Sequence, residues 1–480
     1  MLFPTLGFGL FFLVVYAITW SLGRSNEWRK IALLLASWFF YGAWDARFVA
    51  LLFVSAVVNW ALAQAIVRDR ERADGRRGRR GRRGRRGRAL VTLGVVANLG
   101  VLGYFKYAGF FLEQLAALLQ PLGFGRDLPL LQVVLPVGVS FFTFQAISYL
   151  VDVHRRRIPA AGLLDLTLLM SFFPHLVAGP IVRGADLLPQ FRRVPVIDRG
   201  TVAAALLLIV WGLFKKAVIA SQLAGALVDP AFLDPAARSS FDLLIGAYGY
   251  AVQIYCDFSA YSDMAIGLAA LLGYTFPRNF DQPYRAASLQ DFWRRWHISL
   301  SSWLRDYLYI PLGGSRKGPV RTYLNLFATM VLGGLWHGAS WSFLIWGALH
   351  GGWLAIERFW ARHRPAGLPL PPRWAGILVT FHIVVLGWIF FRAQGEGEAV
   401  VYLAALGAGD WRNTLVTPLS LGLVAFGLAI HAVPAHLLTG AAMRLRHHAA
   451  PAIAVALGMA ILIVDAMRPA GVAPFIYYQF

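Results

Sequence analysis

Residues 201–228, TVAAALLLIVWGLFKKAVIASQLAGALV, decide the class of fold. A helix over them, rising about 1.5 Å per residue, outruns the roughly 30 Å hydrocarbon layer of a bilayer. Residues 1–20 and 241–274 form similar windows. Several such windows exclude a single cleaved leader. The first has neither a basic region before its apolar run nor a small-residue cleavage site after it, so it reads as a retained span. Composition agrees: 58% of residues are hydrophobic, 14% are charged and mean hydropathy is +0.58, whereas soluble domains carry about 25% charged residues. The expected class is an all-α polytopic membrane protein, with residues 1–480 forming one integral membrane domain.

The formal charge of +21 sits largely in short loops between apolar segments. That is the pattern of a cytoplasmic membrane face, so no nucleic-acid partner is expected. Residues 68–88 hold twelve arginines against Asp69, Glu71 and Asp74, a net +9 that leaves +12 elsewhere. Their GRRGRRGRRGR repeat is low in complexity and broken by glycine, which predicts a disordered cytoplasmic loop touching anionic lipid headgroups. The lone Cys256 allows no intrachain disulfide and no cysteine metal cluster, and inert packing is its expected role.

With basic clusters taken as cytoplasmic, the apolar segments alternate direction through the bilayer. Residues 24–30 and 68–88 lie inside, while the turn at 44–47 and the N-terminus lie outside. The chain leaves near 89–105 and returns through 130–150 to His154, Arg155, Arg156 and Arg157. The run SFFPHLVAGP then puts Pro174, His175, Gly179 and Pro180 at membrane depth, with Arg183, Arg192 and Arg193 following as though still inside. A re-entrant hairpin over 163–182 meets both conditions. Irregular backbone at that depth survives only against protein or a water-filled cavity. Residues 278–321 carry eight basic side chains against Asp281, Asp291 and Asp306, a cytoplasmic stretch of net +5. Further segments begin near Thr322, Ser342, Trp374 and Leu415, and a last one covers 450–463. The sum is about 11–12 transmembrane helices with re-entrant or interfacial ones, and no internal repeat of transporter type is visible.

Two histidines stand out. His297 lies in QDFWRRWHISLSSWLRDYLYIPLGGSRKG, amphipathic enough for the cytoplasmic interface, where Trp293, Trp296 and Trp303 are at home. His337 lies in LGGLWHGASW, sixteen residues beyond Arg321. One continuous helix carries it about 24 Å from that charge, into the bilayer and towards its outer face. Gly333, Gly334 and Gly338 let another helix or a substrate chain come close. Ionisable groups at such depth are costly and usually line a cavity or carry function. Position alone fits a histidine hydrogen-bonded between helices as well as a catalytic one. Imidazole suits removal of a proton from a hydroxyl near neutral pH, so that the oxygen can attack an activated acyl group.

Asp257, Ser259, Tyr261 and Asp263 read as interhelical hydrogen-bonding groups, with lining of a tunnel as the alternative. Arg305 and Asp306 fit an ordinary ion pair or a contact to a cofactor phosphate. His175 stays outside the expected site. His350 has no compensating acidic pair, and HExxH spacing, a GxSxG elbow and a Walker-type loop are all missing from the sequence, so neither a metal nor a bound cofactor is expected.

The stretches QIYCDFSAYSDMAIGLAALLGY, FWRRWHISLSSWLRDYLYIPLGGSR and LGGLWHGASWSFLIWGALHG resemble the bacterial membrane-bound O-acyltransferase family, and within it the alginate O-acetyltransferases. SWFFYGAWD, SFFPHLVAGPIVR and the closing FIYYQF extend the likeness over nearly the whole chain. The resemblance implies a helix bundle around a central tunnel, with His337 as the family's catalytic histidine and His297 as its second functional histidine. It implies an acyl donor approached from the cytoplasm, acetyl-CoA by resemblance, and an acceptor on the outer side. For this branch it further implies an acetyl relay in the bacterial inner membrane. The relay would serve an extracytoplasmic SGNH-type acetyltransferase partner and the machinery of an exopolysaccharide such as alginate. The tract at 68–88 departs from the family pattern, being longer and more basic. A transporter or flippase of an acyl donor or polysaccharide intermediate is the alternative, and a scaffold in an export assembly is a third reading.

Overall fold

The computed structural model describes residues 3–23, 25–74, 85–122, 134–365, 367, 371–433, 440, 444 and 450–469. Among them every regular element is helical and no strand occurs, as the apolar composition predicts. Arg47–Arg72, Arg85–Leu122, Arg199–Leu233 and Arg373–Arg392 are long and apolar enough to cross a membrane; Leu6–Ser21, Pro418–Ala432 and Val455–Met467 are shorter apolar helices. Among the described residues of the return segment expected at 130–150, the helix begins at Val139 and runs to His154, about 24 Å of helix. The closing FIYYQF lies outside the described residues.

The chain divides into two compact units, Met1–Asp198 with Leu268–Pro277, and Arg199–Gly267 with Arg278–Phe480. In the first, the helices Arg47–Asp74 and Arg85–Leu102 are clasped by Asn59 and Asn98, whose side chains exchange hydrogen bonds of 3.2 and 2.8 Å. Such polar bonds select one register where apolar helices offer many. Both ends of the arginine tract belong to these helices, which corrects the loop expected over all of 68–88. Residues 68–74, RDRERAD, are glycine-free, and their three arginines are good helix formers; residues 75–84 lie outside the described ones. The cations at 29 and 30 are not solvated either. Arg29 and Lys30 are buried, Arg29 Nε donating to the Thr19 carbonyl at 3.0 Å and Lys30 Nζ pairing with Glu27 and Asp165, each at 2.7 Å.

The break expected around Pro174 is present. The helix Leu163–Ser171 stops at Phe172, one turn Phe173–Leu176 follows, and regular helix resumes at Gly184–Phe191. Ser37 Oγ accepts the Phe173 N–H at 3.1 Å and Gln145 Nε2 donates to the Val182 carbonyl at 3.1 Å. Protein side chains thus satisfy the irregular backbone. His175 belongs to this scaffold: Nε2 lies 3.0 Å from the Leu169 carbonyl and the ring packs on Phe172 and Phe276.

The second unit contains the run Arg199–Leu233, with wider π-helical turns at Phe214–Ala220 and Ala224–Val228. It also contains the helices Pro319–His337 and Trp341–His363, joined by only three residues. Their backbones touch through glycine. A Cβ on Gly347 would stand 2.5 Å from the Met330 carbonyl oxygen, and one on Gly334 would collide with the carbonyl of Phe343. Gly347→Val therefore has to spread the pair, an overpacking cost of about 1–3 kcal/mol. Its thermal unfolding midpoint in detergent is expected to fall; an unchanged midpoint contradicts the contact.

Candidate active site

The helix Pro319–His337 runs unbroken from beside Arg321 to His337, its last residue, as the spacing predicts. Gly338 then turns extended and Ser340 caps the next helix, its Oγ accepting the Phe343 N–H at 3.5 Å. His337 is 3% exposed. Its ring stands edge-on to Trp336, Trp346 and Phe391, with centroids 5.0, 5.1 and 5.2 Å away. Three aromatic walls fix the imidazole plane and keep water from its flanks.

His297 is fully buried and sits between two short helices, Leu289–Arg295 and Ile298–Leu304. The amphipathic segment expected there is thus two short helices with His297 at their junction. Trp293, Trp296 and Trp303 point into protein, all 9% exposed or less, because they pack against other rings; Trp296, for one, lies 5.6 Å from Phe292 and 4.9 Å from Trp388. His297 has left-handed backbone, φ 43° and ψ 54°. For a residue with a Cβ this costs roughly 1–2 kcal/mol and persists only where the surroundings impose it. The residue lies outside the four described helices that are long and apolar enough to cross a membrane, and burial pushes its imidazole down to about 3, so the ring is neutral near pH 7.

The structure brings the two histidines to the same aromatic neighbour. Trp336, adjacent to His337 in sequence, lies 6.1 Å from the His297 ring, which also meets Phe258 edge-on at 4.6 Å. Next to the end of the His337 helix opens a cavity of about 540 Å³, walled by Gly338, Ser340, Phe343, Gln394, Arg392 and Asp229. Phe391, in contact with His337, immediately precedes Arg392, and Arg392 Nη2 pairs with Asp229 Oδ1 at 2.7 Å. A volume in this range suits a small-molecule group.

Residues 157–395, which include both histidines and the whole cavity wall, match the family model of the membrane-bound O-acyltransferases. The chain is 42% identical over 419 residues to a probable alginate O-acetylase of Pseudomonas aeruginosa, covering 86% of this chain and 76% of that protein. The chain belongs to the membrane-bound O-acyltransferase family. A peptidoglycan O-acetyltransferase of Helicobacter pylori is 35% identical over 432 residues, 84% of this chain and 77% of that protein. A teichoic acid D-alanyltransferase of Streptococcus thermophilus is 28% identical over 280 residues, 53% and 68%. This membrane-bound O-acyltransferase is accordingly a membrane enzyme that transfers acyl groups to oxygen.

Its other polar candidates have structural partners. Lys216 Nζ meets Asp257 Oδ1 at 2.7 Å, and Lys215 Nζ meets Asp263 Oδ2 at 2.7 Å and Ser259 Oγ at 2.6 Å. Both lysine side chains are 2% exposed. Arg305 and Asp306 form the ordinary ion pair, at 2.7 Å. His350 Nδ1 accepts the Trp293 indole N–H at 3.2 Å, a packing role. The lysines were the partners that sequence reasoning missed. Two adjacent cations inside residues 201–228 demand buried carboxylates, and Asp257 and Asp263 stand in the next apolar window. Trp346 and Phe391 carried no comparable signal.

Proposed function

We propose that this enzyme takes an acetyl group from a coenzyme-A thioester on the cytoplasmic side of a bacterial inner membrane and delivers it to a hydroxyl on the outer side. The immediate acceptor is an SGNH-type acetyltransferase, which passes the group to an exopolysaccharide of the alginate type. The pairing of His337 and His297 about Trp336, with a cavity beside His337, carries this reading. His337 takes the hydroxyl proton as the oxygen bonds to the acyl carbon. The carbon–sulfur bond breaks, and the proton ends on the departing thiolate. His297 holds the reacting groups in place. The names of the alginate and peptidoglycan relatives support acetyl as the group transferred.

The test is complementation of a strain lacking this chain, with the acetyl content of its secreted polymer read by NMR. The parent sequence is expected to restore O-acetyl groups and His297→Gln to leave them low at equal membrane abundance. Full acetylation with His297→Gln, or a polymer whose amount rather than acetylation changes, contradicts the proposal; the second result is what a flippase would give.

A further inference from the structure

Asn279 holds His297 from one side. Its side-chain oxygen lies 3.2 Å from the Ser299 backbone N, 2.8 Å from Ser299 Oγ and 3.2 Å from His297 Nδ1. Its side-chain nitrogen donates to Ser262 Oγ at 3.0 Å, and its backbone carbonyl accepts the Ile298 N–H at 2.9 Å. Asn279, Ser262, His297 and Ser299 are all buried. A backbone N–H can only donate, so the Ser299 N–H fixes the amide with its oxygen, not its nitrogen, at His297. Nδ1 also lies 3.4 Å from Ser299 Oγ, but that hydroxyl spends its hydrogen on the shorter 2.8 Å contact to the Asn279 oxygen; facing two acceptors, Nδ1 carries the ring hydrogen. The lone pair of the neutral imidazole is then on Nε2, and Nε2 is buried with no hydrogen-bond partner among the described residues. Buried polar atoms are normally paired, so an unpaired one is open to a bound group; His350 Nε2 and His175 Nδ1 are unpaired too, and His297 differs from them in sharing Trp336 with His337.

We propose that Asn279 is a positioning residue that holds His297 as the Nδ1-protonated tautomer, so that Nε2 receives an O–H or N–H group of the substrate rather than a carbonyl or phosphate oxygen. This rests on His297 belonging to the reaction site. The left-handed backbone at His297 serves the same end, because the Ile298 hydrogen bond to Asn279 ties the turn to the residue that holds the ring. It also separates two jobs that an imidazole can do. Polarising the thioester carbonyl needs an N–H at the reacting end; holding or deprotonating a hydroxyl needs a lone pair there. The geometry at Asn279 selects the second.

Solid-state 15N NMR of the histidine-labelled full chain in bilayers reads the tautomer as the difference between the parent protein and His297→Gln. The expected difference shows a protonated Nδ1 and an unprotonated Nε2; a protonated Nε2 overturns the inference, and this measurement needs no Asn279 variant to fold. In Asn279→Ala the two tautomers are expected to mix and kcat to fall about 100-fold, with KM for the acetyl donor unchanged. Asn279→Asp, which keeps an acceptor oxygen at Nδ1, is expected to recover part of that loss. Parent-level kcat in Asn279→Ala overturns the positioning role. Should the tautomer be as expected while His297→Gln keeps full activity, the reading of the reaction site fails and the hold of Asn279 on the ring stands.

Discussion

Protein carrying His337→Gln is expected to reach the membrane at the parent level and to transfer acyl groups about 10²- to 10⁴-fold more slowly, the usual worth of a positioned proton acceptor. Glutamine is the informative replacement because it is close to histidine in length. It still fills the space among Trp336, Trp346 and Phe391, whereas alanine would leave a void there with its own stability cost. A histidine that only packs between helices would survive the exchange with activity nearly intact. The steady-state rate per folded protein, measured beside the unfolding midpoint, separates the two cases: loss of rate at constant midpoint supports catalysis, and a parent-like rate removes His337 from the mechanism.

The largest effect on stability is expected at Lys216. Its ammonium and the Asp257 carboxylate are 2% and 4% exposed and 2.7 Å apart, and the Tyr261 ring lies 5.8 Å from the charge. Lys216→Met removes one charge and leaves the other inside. Breaking a buried pair from one side costs about 3–5 kcal/mol, a large share of the roughly 5–15 kcal/mol that holds a typical fold together. The single variant should therefore yield little folded protein. Adding Asp257→Asn removes the stranded charge, and replacing both members of such a pair is often close to neutral. The amount of monodisperse protein after detergent extraction checks this: low for Lys216→Met, restored in the double variant. Equal yields from both would mean that the pair does not stabilise the helices.

These two sites differ in how far they could be read without coordinates. His337 was legible because its signal is local: a run of helix from Arg321 fixes its distance along one axis, and glycines on either side mark close approach. Helical class and the break near Pro174 were legible for the same reason, since apolar length and proline act within a few residues of chain. The surroundings of His297 were not. Counting arginine and tryptophan in residues 290–318 suggests a face turned to an interface, but the tryptophans find ring partners from residues such as Trp388, far along the chain. Nothing in an amphipathic pattern tells a membrane interface from an aromatic core. Asn279 was out of reach for a related reason: its part depends on a left-handed turn eighteen residues later, which no local preference of histidine announces. The lysines at 215 and 216 lie between. Their cost inside an apolar window is plain, and their partners can be guessed, but the pairing of Lys216 with Asp257 and Lys215 with Asp263 is a matter of register between helices.

The most direct test of the enzyme's proposed reaction is transfer across a sealed bilayer. Purified protein is reconstituted in oriented vesicles, acetyl-labelled coenzyme A is confined to the face bearing residues 278–321, and a purified SGNH-type acetyltransferase is supplied on the other. The label is expected to become covalently attached to that acceptor with the parent protein and to remain on coenzyme A with His337→Gln. Label that crosses the membrane without forming a new ester, or equal transfer by the two proteins, would contradict catalysis at His337.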